Sequence, residues 1–285
     1  MSVWLPGAPC SPRACLDPTR TGTRVGAFAA VPLAALRLVA VVALVAVGAL
    51  LSPFGARIPA GAVGRWCRWI VRASGVRVRI TGRAPADGGL LLVANHISWL
   101  DIPLLAAVRP ARMLAKAEIR QWPVAGALAA RGGVLFIERD RIRALPETVA
   151  RLAEEMRGGA AVAAFPEGST WCGRAQGHFR RAVFQAALDA GVSVQPVRIR
   201  YRFGGGAAST TPAFVGDDSL LASVWRVVSV RGLVAEVDVR PLLGPGVHPD
   251  RRALARAAQT GVTDSEEDVG HPGDQPRPVI LASLR

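Results

Sequence analysis

The chain has 285 residues, room for one catalytic domain plus appendages but not for two large independent cores, because single cores stop growing near about 250 residues. Apolar residues make up 51%, and 35 Lys+Arg against 21 Asp+Glu give a formal charge of +14. That surplus needs an anionic partner. Nucleic acid and an anionic membrane are the usual two, and the scattered arginines, with no zinc-finger, basic-zipper or RNA-binding signature, speak against nucleic acid.

The leader, residues 1–26, carries Pro6, Pro9, Pro12 and Pro18 with little periodicity and is expected to be disordered. Residues 27–74 read as membrane-associated helices. From Ala27 to Phe54 the chain is apolar apart from Pro32, Arg37 and Pro53. Its cleanest stretch, Leu38 to Leu51, is short of the roughly 20 residues that cross a bilayer. A signal peptide competes with a retained anchor, and the anchor is favoured because Arg57, Arg65 and Arg68 follow without a small-residue cleavage site. Between Ala60 and Ser74, Val63, Trp66, Cys67, Ile70 and Val71 recur at helical spacing against Arg65, Arg68 and Arg72. This fits an interfacial helix with Trp66 and Trp69 at headgroup level, the alternative being an ordinary surface helix.

Residues 75–248 alternate strand and helix signals, which predicts an α/β domain with a largely parallel sheet flanked by helices. Strands are expected at Val76 to Ile80, Leu90 to Ala94, Met113 to Ala115, Val134 to Ile137, Ala161 to Phe165, Val192 to Arg198 and Val234 to Val239. Helices are expected near Ile119 to Ala129, Leu145 to Arg157 and Gln176 to Ala190, and residues 249–285 read as a loose polar tail with one short basic helical stretch. Cys10, Cys15, Cys67 and Cys172 lack metal-ligand spacing and read as free thiols, so no metal site is expected.

Ligands of open α/β sheets gather beyond the carboxyl ends of strands, so polar residues after apolar runs carry the chemistry. After Leu90 to Ala94 comes Asn95-His96-Ile97-Ser98-Trp99-Leu100-Asp101. An imidazole there can deprotonate a hydroxyl if a carboxylate such as Asp101 folds back to orient it. Ser98 to Asp101 also reads as a capping box, which would make Asp101 a helix-start residue. The second place is Phe136-Ile137-Glu138-Arg139, where Arg139 can clamp a phosphate or carboxylate. In the third, Phe165-Pro166-Glu167-Gly168-Ser169-Thr170, Gly168 permits a sharp turn and Glu167 can hold a polyol hydroxyl. Val194 to Val197 looks like a pocket wall.

In this order and register the three motifs, spread over about Val76 to Val239, resemble the glycerolipid acyltransferases that include bacterial 1-acyl-glycerol-3-phosphate acyltransferases. The resemblance implies that His96 is the general base and Asp101 its orienter, and that the acceptor hydroxyl attacks an acyl thioester with no covalent acyl-enzyme. It implies acceptor roles for Arg139 and Glu167, with Gly168 at the turn, and an N-terminal pair of membrane helices like 27–74. The implied donor is acyl-coenzyme A or acyl carrier protein, with no bound cofactor. The implied acceptor is a membrane lysophospholipid, foremost 1-acyl-sn-glycerol-3-phosphate, at the cell membrane with the catalytic domain facing the cytoplasm. Many lysophosphatidate enzymes carry Glu-Gly-Thr-Arg-Ser in the third motif, and here Thr170 stands in the arginine's place. Lys116, Arg174, Arg180 or Arg181 could supply that charge; otherwise the acceptor is a lyso-ornithine-type aminolipid. A serine hydrolase built on Ser98 is disfavoured because no Gly-x-Ser-x-Gly elbow occurs. A non-enzymatic anionic-membrane adaptor leaves the three motifs unexplained.

Overall fold

The computed structural model describes residues 8–16, 24–121, 126, 132–138, 141–204, 206 and 208–263. Seven strands form one sheet in the order β1-β7-β6-β2-β5-β3-β4. These are β1 (Arg77–Thr81), β2 (Leu90–Ala94), β3 (Arg112–Lys116), β4 (Leu135–Ile137), β5 (Ala161–Ala164), β6 (Ser193–Phe203) and β7 (Leu233–Val239). All neighbours run parallel except β6 and β7.

Every residue of β2 is buried, as expected where helices cover both faces of a parallel sheet. Because strand side chains alternate, Leu90, Leu92 and Ala94 enter one core with Leu104, Leu105, Val71 and Val227, whereas Leu91 and Val93 enter the other with Leu152, Met156 and Phe184. The helices are α1 (Pro12–Cys15), α2 (Arg24–Leu51), α3 (Ala60–Ala73), α4 (Asp101–Val108), α5 (Leu145–Arg157), α6 (Ala182–Ala190), α7 (Leu220–Ser229) and α8 (Arg251–Thr263).

The helix α2 continues through Pro32 and Arg37, so the apolar span is longer than its cleanest stretch: Val31–Phe54, 24 residues with mean hydropathy 2.5, is long and apolar enough to cross a membrane. It leaves Leu36, Val39, Val42 and Leu50 exposed. Two contacts fix it to the domain. At Gly48 a Cβ would collide with the Trp66 ring, so glycine is what lets α3 approach this closely. Arg37 donates through Nη1 to the carbonyls of Val228 and Val230, each at 2.8 Å, satisfying groups at the α7 terminus that have no intrahelical partner. In α3, Cys67, Ile70 and Val71 face the domain and Trp69 remains 57% exposed.

Several expectations need correction. Within the leader, residues 8–16 are ordered on the domain: Ser11 caps α1 and Cys10 is buried in the core beside Cys172. Within the expected tail, α8 buries Leu254, Ala255, Ala258 and Val262, a small-residue stripe that its arginines obscure in the sequence. The helix expected from Gln176 starts only at Ala182, and before it Gly177, Phe179 and Arg180 donate their N–H groups to Glu167, Gln259 and Pro166. The helix expected near Ile119 to Ala129 falls mostly outside the described residues, which show a 3-10 turn at Ala117–Gln121. The helix α7 has no counterpart among the expected elements.

Candidate active site

β2, β5, β3 and β4 run parallel, so the residues following them collect at one edge of the sheet. The turn from β2 into α4 brings Asp101 back beside His96. His96 Nδ1 stands 2.9 Å from Asp101 Oδ2. The histidine side chain retains 18% exposure and that of Asp101 none. Among the described residues Nε2 has no hydrogen-bond partner.

Asp101 makes one half of the capping box, accepting from Ser98 N–H, but it does more than start the helix. Its Oδ2 accepts from the backbone N–H groups of Ile97 at 2.6 Å and Ser98 at 2.8 Å, which precede the helix, and Oδ1 accepts from the Tyr201 hydroxyl at 2.6 Å. These donors fix which carboxylate oxygen meets the imidazole. In the neutral tautomer that donates from Nδ1 to Oδ2, Nε2 is the acceptor. Burial, then the Asp101 charge, pushes the Tyr201 phenol well above its ordinary range, so it stays a donor.

The histidine is also held by its peptide group and its ring face. Its N–H donates to Glu167 Oε2 at 2.8 Å and its carbonyl accepts from Trp171 N–H at 2.8 Å. The Phe165 ring stacks on the imidazole with centroids 3.9 Å apart and planes 9° from parallel. Asn95 exchanges two bonds with the Ile199 backbone, 2.9 and 2.8 Å, locking the start of this loop to β6.

Glu167, expected to hold a polyol hydroxyl, turns into the protein. It is only 3% exposed, and its second oxygen accepts from Gly177 N–H at 3.1 Å. Burial pushes its carboxyl up to about 8, against the lowering effect of the His96 and Gly177 N–H groups, with the Asp101 charge adding to the rise. The turn that aims it inward depends on Gly168, whose φ of 79° lies in the left-handed region. Lys116 is exposed at the end of β3. Arg139 lies outside the described residues. Ser98 is fully buried and its hydroxyl accepts from Leu100 N–H, the wrong setting for a nucleophile. Sequence reasoning missed Tyr201, Phe165 and Trp171 as supports of the pair. Tyr201 is the single tyrosine of the chain, the one signal that could have drawn attention to it.

This geometry can be set against known proteins. The acyltransferase family profile matches residues 75–200, the interval holding every contact just described to His96 and Asp101 except that of Tyr201. A lyso-ornithine lipid O-acyltransferase of Pseudomonas aeruginosa is 43% identical over 204 residues, covering 70% of this chain and 76% of that protein. The chain belongs to the acyltransferase family. A 1-acyl-sn-glycerol-3-phosphate acyltransferase of Neisseria meningitidis is 35% identical over 188 residues, covering 66% of this acyltransferase and 73% of the relative. The crystal structure of the 1-acyl-sn-glycerophosphate acyltransferase of Thermotoga maritima superposes with a TM-score of 0.62 at 17% identity, covering 82% of this chain and 93% of that one, and so shares the fold. The acyltransferase thus couples a largely parallel α/β domain to an apolar N-terminal helix.

Proposed function

We propose that the enzyme moves a fatty acyl group from an acyl thioester to the free hydroxyl of a lysolipid, with His96 as general base. The observation that carries this is a partly exposed imidazole hydrogen-bonded to a carboxylate that no solvent reaches. Nε2 takes the proton of the acceptor hydroxyl as its oxygen bonds to the thioester carbonyl carbon. The tetrahedral adduct then collapses by breaking the C–S bond, and the imidazolium returns the proton to the leaving thiolate. Asp101 stabilises the imidazolium between those steps, as buried carboxylates do for catalytic histidines. Glu167, through the His96 N–H, positions the base and does not touch the acceptor.

Two acceptors fit, 1-acyl-sn-glycerol-3-phosphate and a lyso-ornithine lipid. We favour the aminolipid on two grounds: the Pseudomonas relative at 43% identity is named for it, and Thr170 stands where a phosphate-binding arginine would serve lysophosphatidate. The phosphate acceptor remains the second reading, supported by the Neisseria relative. In either case Arg139 and Lys116 are the cations proposed to meet the acceptor's charged group. Because both thioester donors are cytoplasmic and Arg65, Arg68 and Arg72 flank the apolar span, the catalytic domain is assigned to the cytoplasmic side.

The test supplies detergent-purified protein with acyl-coenzyme A or acyl carrier protein donors, offers both acceptors at equal concentration, and identifies products by mass. Acylation of the lyso-ornithine lipid in preference to lysophosphatidate is expected. His96→Ala should lower turnover on the order of 10²- to 10⁴-fold in folded protein. A preference for lysophosphatidate would reverse the choice of acceptor, and near-normal turnover of His96→Ala would discard the mechanism.

A further inference from the structure

We propose that Cys10, Cys15 and Cys172 form a three-thiolate site for a soft d¹⁰ cation, zinc(II) as reference ion, that fastens the N-terminal segment to the loop behind the catalytic histidine. The three sulfurs lie within 4.8 Å of one another. Sulfurs that share a zinc ion at about 2.3 Å stand roughly 3.8 Å apart, so closure onto an ion needs sulfur movements of less than about 1 Å. Cys10 and Cys172 are buried, at 7% and 4% exposure, and Cys15 is half-buried. A cation could therefore enter past Cys15, and water could hold a fourth coordination position there.

The frame around the sulfurs is built from both chain segments. Ser11 caps the α1 turn with its side-chain oxygen and its carbonyl accepts from Cys15 N–H at 3.0 Å, which sets the spacing between Cys10 and Cys15. The backbone of Cys10 packs so closely over Gly216 that a Cβ there would meet the Cys10 carbonyl at 3.0 Å, and Gly216 itself has a left-handed φ of 61°. Cys10 and Cys172 belong to one hydrophobic core, against which Cys15 packs. Each sulfur–metal bond formed would release the proton its thiol carried, and the ion would keep its oxidation state.

A disulfide would use two of the three sulfurs and strand the third, whereas a metal ion uses all of them. The spacing along the chain conceals the site because Cys172 is remote from the other two and reaches them only in the fold. Its position gives the ion a lever on the chemistry: Cys172 follows Trp171, whose N–H holds the His96 carbonyl.

The experiment uses the full chain in detergent, reduced with a phosphine and stripped by a chelator, then titrated with cadmium or zinc. The expected result is a thiolate-to-cadmium charge-transfer band that saturates at one equivalent and is bleached by excess zinc. Cys10→Ser and Cys172→Ser should weaken binding at least tenfold, and Cys67→Ser should leave it unchanged. Zinc should also raise the melting temperature of the unmodified protein, a readout that needs no variant to fold. The proposal is overturned by no saturable band in reduced protein, by a band that survives in Cys172→Ser, or by mass mapping that finds Cys172 already in a disulfide with Cys10 or Cys15.

Discussion

Replacing Asp101 by Asn separates the charge of this residue from its hydrogen bonds. Four donors meet the carboxylate, from His96, Ile97, Ser98 and Tyr201. In the variant the two backbone N–H groups hold the amide oxygen where Oδ2 was, so the His96 proton keeps its acceptor. The amide nitrogen then faces Tyr201, whose hydroxyl can rotate to accept. Geometry is preserved and the stabilisation of the imidazolium is lost. Turnover should fall on the order of 10²- to 10⁴-fold, about 3 to 5 kcal/mol of barrier, with KM for both substrates nearly unchanged and the melting temperature close to that of the parent. Asp101→Ala differs, because it leaves the same four donors without partners in a site closed to solvent. At about 1–3 kcal/mol each, that loss consumes much of a typical stability of about 5–15 kcal/mol. The assay pairs single-turnover acyl transfer with thermal melting of both variants. Asp101→Asn retaining turnover within tenfold of the parent would refute the charge argument, and an Asp101→Ala protein as stable as the parent would refute the hydrogen-bond argument.

The raised value of Glu167 means that the folded protein holds a proton that the unfolded chain releases near the ordinary 4.5. Between about 4.5 and about 8 the folded state binds more protons, so stability should fall as pH rises through this window and level off above it. Melting followed from about pH 5 to about pH 9 should decline less in Glu167→Gln, and identical slopes would count against this assignment. Arg37→Ala removes two charge-assisted bonds, each about 1.5–3 kcal/mol before discounting for partial exposure. It should speed amide exchange at Val230 to Gly232 while leaving exchange in β2 unchanged, which hydrogen-exchange mass spectrometry would register. Arg139→Ala should raise KM for the acceptor and not for the donor, with Arg139→Lys recovering part of the loss because it lacks the two-pronged geometry. Steady-state kinetics with each substrate varied in turn checks that split.

What could be read before folding was whatever is local. The apolar run of β2, the periodicity of Leu145 to Arg157 and the polar residues after each strand announce themselves within a few positions, and they locate His96 and Asp101. Tyr201 could not be found that way, because its partner becomes a neighbour only when β6 lies beside β2. The inward-turned Glu167 is held by the Gly177 N–H, ten residues further on in a stretch that reads as helix in the sequence. In the same manner the order of residues 8–16 depends on Gly216 and Cys172, far along the chain, and no composition of prolines reports it. In α8 the signal was present but diluted, since alanines bury little area each and the arginines dominate the impression.

The bonds from Arg37 to Val228 and Val230 give the long apolar helix little freedom to swivel against the catalytic domain. With that helix embedded, the mouth of the site sits at one fixed depth and tilt above the headgroups. Acceptor then arrives by lateral diffusion within a leaflet, and the quantity that sets occupancy is its mole fraction among surrounding lipids rather than its bulk molarity. Adding inert lipid at constant total acceptor should therefore slow the enzyme, whereas enlarging the aqueous volume around the same vesicles should leave acceptor capture untouched and affect only the supply of the soluble thioester.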